Sequence, residues 1–490
     1  MPRIAQVDPR FQSYNVEMVE VIGGRFWKPY GSAPVKTMPA PVGGVGIDPN
    51  LFEQRAPADL GNPRLRMLAA ALGPAYLRVS GSWANTVYFQ DNDELILAKP
   101  PTGFAGVLSR AEWKGVADFA AATDSKIVTS FGVGAGTRDA KGLWTPNQAE
   151  AFLKYTNSIG APIAAAEFMN EPSLAGIANL PEGYDGAAYG RDFAVFKIIF
   201  RKDAPKALLL GPGSSGEGLP TSGGGLKLLP TNQLLNGTGA GDVDAFSYHV
   251  YPAISERCAA RSTAPIGTSQ ADALTTAFLE RTNTVESFYA DLRNRYAPGK
   301  AMWLTETGQS ACGGDPWAAT FLDSFRYLYQ LGSLASRNVQ VVMHNTLAAS
   351  DYGLVDQNTL RPRPNYWSAL LWHYLMGTVV LKVNNSSDRS VPVFAQCMKG
   401  RPGGVTVLAL NLDRSAAHAL QVPLGSTRYT MTAASLPGDS VLLNGAELKL
   451  TESGSMPRIS GVAAKAGAVE LPPASITFLA MPTANNAACR

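Results

Sequence analysis

The chain has 490 residues, 46% of them hydrophobic, which is long for a single core and suits two or more globular units. Forty-two basic and 39 acidic residues leave a net charge of +3, which removes any global electrostatic case for nucleic acid or a membrane surface. No run approaches the roughly 18 unbroken apolar residues of a membrane span. The four cysteines and four histidines contain no CxxC or HxxxH, so neither a metal nor a cofactor is expected.

The N-terminus, Met-Pro-Arg-Ile-Ala-Gln-Val-Asp, lacks an apolar h-region, so the protein is expected either to be cytoplasmic or to have lost a leader. Residues 14–22, Tyr-Asn-Val-Glu-Met-Val-Glu-Val-Ile, read as a strand placed to add an edge to a later sheet. From about 41, strand and helix patterns alternate. Strands are predicted at 41–48, 75–81, 126–134, 163–170, 207–213, 244–251, 301–306 and 339–346. Helices are predicted at 65–72, 112–123, 148–158, 190–202, 274–295 and 318–336, with a last one at about 365–376. Eight apolar strands with intervening helices predict a closed (β/α)8 barrel. After about 378 the pattern becomes short strands and turns without helices, which predicts a β-sandwich. The expected division is a barrel over 38–370 and a sandwich built from 1–37 with 371–490.

Two carboxylates stand out against this frame. Ile163-Ala-Ala-Ala-Glu-Phe-Met runs into Asn170-Glu171-Pro172, and Ala301-Met-Trp-Leu-Thr delivers Glu306. Barrel enzymes carry their chemistry at strand C-termini, and Pro172 stops the strand so that Glu171 stays at the rim. Taken singly, Glu171 also suits a loop and Glu306 a buried ion pair. On the fourth and seventh strands together they face each other across one barrel mouth, the equipment for cleaving a glycosidic bond. Glu167, four residues earlier and inside the strand, reads as structural support. Asn170 can hydrogen-bond a sugar hydroxyl. Strand alternation puts His249 and Tyr251 on one face, where a Tyr hydroxyl can donate to an ionised nucleophile. Gly313, Gly314 and Tyr352 fall on rim loops, where backbone N–H groups and a hydroxyl can cradle a carboxylate. Cys258 and Cys312 follow strands six and seven, which leaves a rim disulfide open. Gly211-Pro-Gly-Ser-Ser-Gly216 matches GxGxxG but opens no helix, and there is no GxSxG, so nucleotide and serine-hydrolase sites are set aside.

These segments resemble the heparanase-like β-glucuronidases of glycoside hydrolase family 79. The resemblance is carried by Gly46-Ile-Asp48-Pro-Asn, Ala75-Tyr-Leu-Arg-Val-Ser-Gly-Ser82, Asn170-Glu171-Pro172, Trp303-Leu-Thr-Glu306-Thr and Asp351-Tyr352-Gly-Leu-Val-Asp356. It implies that Glu171 is the acid/base and Glu306 the nucleophile of a retaining hydrolase. It implies that Asp48 and Ser82 bind hydroxyls of the −1 glucuronate, and that Gly313, Gly314 and Tyr352 bind its carboxylate. Cys397 and Cys489 resemble the pair bridged in the mammalian sandwich, and such a bridge implies a secreted or periplasmic protein. The implied substrate is a glucuronic-acid-containing polysaccharide such as heparan sulfate, cleaved internally, and a monomer is expected. Exo-action on terminal glucuronate is the nearest alternative; a neutral glycoside substrate and a non-catalytic sugar-binding protein are more distant ones. The basic residues that line the sulfated-chain cleft in mammalian members are thin here, with Arg257 as one replacement.

Overall fold

Eight parallel strands close on themselves in chain order: β1 (Gln12–Glu17), β2 (Ala75–Ser80), β3 (Ser125–Thr129), β4 (Ala165–Glu167), β5 (Leu208–Ser214), β6 (Ala245–Val250), β7 (Ala301–Thr307) and β8 (Val339–His344), with β8 pairing back to β1. The computed structural model describes residues 1–31, 49–220, 227–238, 242–259, 267–383 and 389–490. Between strands run helices such as Pro63–Ala70, Arg110–Ala122, Asn147–Ser158, Gly186–Asp203, Arg281–Tyr296 and Phe321–Ser336. Their starts follow local chemistry. Asn62 caps the first, with Pro63 at its first position. Ser109 and Glu112 form a reciprocal capping box on the second. The segment expected as one helix over 274–295 is broken into Asp272–Leu274, Thr276–Leu279 and Arg281–Tyr296, and Thr231–Thr238 is a further helix that the pattern did not reveal.

The first strand corrects the sequence reading. Residues 41–48, and Asp48 with them, lie outside the described residues, and the barrel closes without them. Its first strand is Gln12–Glu17, which falls in the segment expected to join the sandwich, and Met18–Ile22 turns into a short helix. All six residues of β1 are buried, where an edge strand would leave one face in water. The polar face looks into the barrel instead, where Asn15 donates to the Thr305 carbonyl at 3.2 Å and Glu17 accepts from Asn345 at 2.9 Å. The N-terminal strand that does join the C-terminal sheet is Arg3–Gln6, antiparallel to Met376–Leu381.

Inside the barrel, Tyr76, Val128, Ala165, Leu210, Ala245, Trp303 and Val341 form an apolar plug at the strands' lower ends. Tyr76 and Trp303 pack with ring centroids 4.8 Å apart. Two residues further up β2, β4 and β7 the inward positions turn polar: Arg78, Glu167 and Thr305. The plug therefore supports a polar layer that opens at the C-terminal mouth. Among the described residues the C-terminal region is a nine-stranded sheet ordered through Arg3–Gln6, Met376–Leu381, Val393–Met398, Val405–Asn411, Ser475–Met481 and Ser426–Thr432, with short strands beyond. One face, including Leu408, Leu410, Ile476 and Phe478, belongs to the barrel's core. The other, including Val407 and Leu479, packs on Val422 and Val469 of the ribbon formed by His418–Val422 and Gly467–Leu471. Cys397 is bonded to Cys489 at the edge of this region.

Candidate active site

Arg78 organises the floor of the mouth. It is fully buried and reaches Glu167 Oε2, Glu306 Oε2 and Asn170 Oδ1, each at 2.8 Å. Burial opposes its charge, but Glu167 and then Glu306 outweigh that and hold it protonated. Glu167 is equally buried and also accepts from Thr305 Oγ1 at 2.7 Å. Burial works against its ionisation too, and Arg78 overrides it, holding the carboxyl far below the usual range. Glu167 is thus a fixed counter-ion, as its position inside β4 suggested. Removing Arg78 would strand two buried carboxylates, a change that typically costs about 3–5 kcal/mol.

Glu306 lies at a register irregularity between β7 and its neighbours β6 and β8. Thr305 points inward to Glu167, and Glu306, the next residue, also reaches the lumen, where Arg78 and the Tyr251 hydroxyl (2.8 Å to Oε1) hold its two oxygens. A strand irregularity of this kind re-aims a side chain that strict alternation would send outward. Glu171 lies four residues beyond the end of β4, with φ +49, a conformation that favours glycine and persists only where its surroundings impose it. Asn85 supplies part of that constraint, accepting from the Asn170 N–H and donating to the Asn170 carbonyl, both at 2.9 Å.

His249 sits between the carboxylates. Its Nδ1 is 3.1 Å from Glu171 Oε1 and 3.8 Å from Glu306 Oε2. Burial lowers its basicity, but Glu306, then Glu167 and Glu171, outweigh this and raise it to about 9. One oxygen of Glu171, one of Glu306 and one ring nitrogen of His249 lie within 4.8 Å of one another. Three such groups can ligate a cation, but the Arg78 guanidinium, bonded to Glu306 and 3.4 Å from His249, already supplies positive charge there and opposes a second one.

Of the other residues expected at the site, Asn170 and Ser82 adjoin, with Nδ2 and Oγ 3.5 Å apart. His249 and Tyr251 share the inward face of β6 and its extension, as alternation requires. The Tyr352 hydroxyl accepts from Asn345 Nδ2 at 3.2 Å, and the same amide donates to Tyr251 at 3.0 Å. Gly313 and Gly314 have φ of +83 and +90, and a Cβ on Gly314 would lie 3.4 Å from Tyr352, so the glycine turn and the tyrosine form one wall. Cys258 and Cys312 are bonded across the rim. Arg257 is engaged with Asp351 at 2.6 Å and is not available to a sulfated chain.

Three site residues escaped the sequence reading. Arg78 had a signal, a lone cation in the apolar strand Ala75-Tyr-Leu-Arg-Val-Ser. Glu17 and Asn345 end β1 and follow β8. Glu17 Oε1 takes the Asn345 amide, while a Cβ on Gly81 would fall 1.5 Å from Oε2, so only glycine admits this carboxylate. Burial first, and Glu306 second, push Glu17 well above the ordinary carboxyl range.

The family model described as "Glycosyl hydrolase family 79, N-terminal domain" matches residues 57–332. Heparanase from Mus musculus is 28% identical over 521 residues, covering 94% of this chain and 93% of that protein. Hyaluronoglucuronidase from Hirudo nipponia is 28% identical over 494 residues, covering 91% and 95%. Heparanase-like protein 1 from Arabidopsis thaliana is 28% identical over 486 residues, covering 88% and 86%. Among solved structures, a GH51 arabinofuranosidase from Xanthomonas axonopodis pv. citri superposes with a TM-score of 0.62 at 16% identity, covering 98% and 97% of the two chains, which establishes the shared fold. A match over more than half of the chain, on a barrel with paired carboxylates at its mouth, places this protein in glycosyl hydrolase family 79, as a glycoside hydrolase.

Proposed function

We propose that the chain is a retaining endo-β-glucuronidase acting on glucuronic-acid-containing polysaccharide such as heparan sulfate. The observation that carries the reading is the approach of Glu171 and Glu306, which bring carboxyl oxygens within 4.8 Å of each other. Retaining enzymes hold the two carboxyl groups about 5–5.5 Å apart, and inverting ones about 6.5–9.5 Å. In the proposed reaction Glu306 attacks the anomeric carbon while Glu171 gives its proton to the departing oxygen, leaving a glycosyl ester on Glu306. Glu171 then takes a proton from water, which opens the ester and restores both groups. Tyr251 and Arg78 hold the Glu306 oxygens in place, and His249 orients Glu171.

The glucuronide specificity draws on the names of the heparanase and hyaluronoglucuronidase relatives and on one wall of the site. Among the described residues the Gly313 and Gly314 amides have no protein acceptor, and with the Tyr352 hydroxyl they supply donors for a substrate carboxylate. Ser82 adjoins Asn170, which shares the Arg78 guanidinium with Glu306, and both carry groups suited to sugar hydroxyls. Export follows the proposal that Cys397–Cys489 and Cys258–Cys312 form in an oxidising compartment.

A second reading, exo-action, is favoured by the ribbon of Gly24–Trp27 and Phe52–Arg55. Trp27 packs against Gly313, and Phe26 packs on Trp83, the neighbour of Ser82, with centroids 4.9 Å apart, which brings bulky rings up to two of the proposed sugar-binding positions. Size-defined heparan sulfate and hyaluronan, incubated in parallel and resolved by gel filtration, decide between the two. A rapid fall in chain length supports internal cleavage, and unchanged length with free glucuronate supports exo-action. Proton NMR of the first product should show the β anomer; an α anomer would overturn the retaining assignment.

A further inference from the structure

Three rim loops meet at one short helix, Glu256–Ala259, which follows β6. Cys258 is bonded to Cys312, the residue before Gly313. Arg257 donates to Asp351, the residue before Tyr352, at 2.6 Å, and to the Lys28 carbonyl at 2.6 Å. Its guanidinium lies 3.7 Å from the centroid of the Tyr30 ring, whose hydroxyl is 2.7 Å from Ser255 Oγ. The Glu256 N–H donates to Asp315, the residue after Gly314, at 2.8 Å. Three of these fastenings, to Cys312, Asp351 and Asp315, land one residue from a member of the set Gly313, Gly314 and Tyr352.

The backbone there needs fastening. Cys312, Gly313 and Gly314 have successive φ values of +65, +83 and +90. Cys312 carries a Cβ, so its conformation persists only where the surroundings impose it. The Gly313 carbonyl is held in turn by Ser350 Oγ at 2.9 Å and the Asp351 N–H at 3.2 Å, which ties the β7 loop to the β8 loop. The two proposed reacting carboxylates are anchored separately, Glu306 from below by Arg78 and Glu171 by His249.

We infer that Arg257 and the Cys258–Cys312 bridge are positioning residues for recognition of the substrate carboxylate, and that they set affinity for the uronate rather than the rate of bond cleavage. The inference rests on the proposed role of Gly313, Gly314 and Tyr352 as the uronate cradle. The staple holds two loops as one unit, so the amides and the hydroxyl meet the carboxylate without first being ordered by it, which is how preorganisation saves binding energy.

The test compares Arg257→Met, and separately Cys258→Ser with Cys312→Ser, against the unaltered enzyme on 4-nitrophenyl β-glucuronide. KM should rise about tenfold or more while kcat stays within about threefold, the signature of lost binding shared by ground and transition states. Arg257→Lys should recover part of the affinity by restoring the charge opposite Asp351. KM unchanged in Arg257→Met, or kcat falling as far as KM rises, overturns the inference while the parent's turnover still upholds the glucuronidase reading. If the serine pair fails to fold, Arg257→Met decides alone. Absence of glucuronide turnover by the parent removes the glucuronidase reading and this inference with it.

Discussion

Tyr251→Phe isolates one contact at the proposed nucleophile. The Tyr251 hydroxyl donates to Glu306 Oε1 at 2.8 Å, and burial, with Glu306 second, pushes it well above its ordinary titration range, so it remains a donor throughout the working pH. The substitution removes that donor and keeps the ring. Asn345 loses one acceptor at 3.0 Å but retains Glu17 at 2.9 Å and Tyr352 at 3.2 Å, so no amide is left unpaired. A hydrogen bond to a charged group contributes about 1.5–3 kcal/mol. At about 1.4 kcal/mol per factor of ten, kcat/KM should fall by roughly 10- to 150-fold if the contact is made in the transition state. Steady-state kinetics on an aryl β-glucuronide measure the loss, and thermal unfolding at the same pH checks that the fold is retained. A loss smaller than about threefold, or one matched by unfolding, would refute the claim that Tyr251 holds the nucleophile.

Glu171→Gln and Glu306→Gln should each abolish nearly all turnover with the fold intact by circular dichroism; substantial residual activity in either would remove that residue from its role. Stability should fall on the alkaline side. Burial raises Glu20 from 4.5 to about 8, so its contribution is complete below about pH 4.5 and lost as pH rises through 8. His249 is raised from 6.5 to about 9, so its contribution is complete below about pH 6.5 and lost through 9. Melting temperature measured from pH 4 to 10 should therefore decline across both windows, and Glu20→Gln should flatten the lower one; an unchanged slope there would contradict the buried, protonated state of Glu20. The Cys397–Cys489 bridge closes a separation of 92 residues, and replacing both by serine should cost about 2–4 kcal/mol in urea unfolding with kcat unchanged.

Much of the barrel was legible because its strands are apolar runs bounded by turn residues and its helices carry their own caps. Glu171 and Glu306 could be picked out because each follows such a run. His249 and Tyr251 could be paired because a strand alternates with period two. β1 was misplaced for the same reason: its polar and apolar residues alternate, which also describes an edge strand half in water. Nothing local says that the wet face of Gln12–Glu17 is the lumen of a barrel. Glu17 was lost with it, while the segment holding Asp48 lies outside the described residues.

The sequence by itself determined seven of the eight barrel strands, the change from barrel to sheet, and which two strands lead to the paired carboxylates Glu171 and Glu306, since periodicity and turn chemistry act over a few residues. Tertiary structure alone decided which charges meet. Arg78, Glu167 and Glu306 are separated by 89 and 139 positions along the chain, yet one guanidinium binds both carboxylates at 2.8 Å. It alone decided that Glu306 follows an inward Thr305 into the lumen, because strand register is set by pairing with β6 and β8. It alone joined Cys258 to Cys312, because closure of the barrel brings neighbouring rim loops within bonding reach.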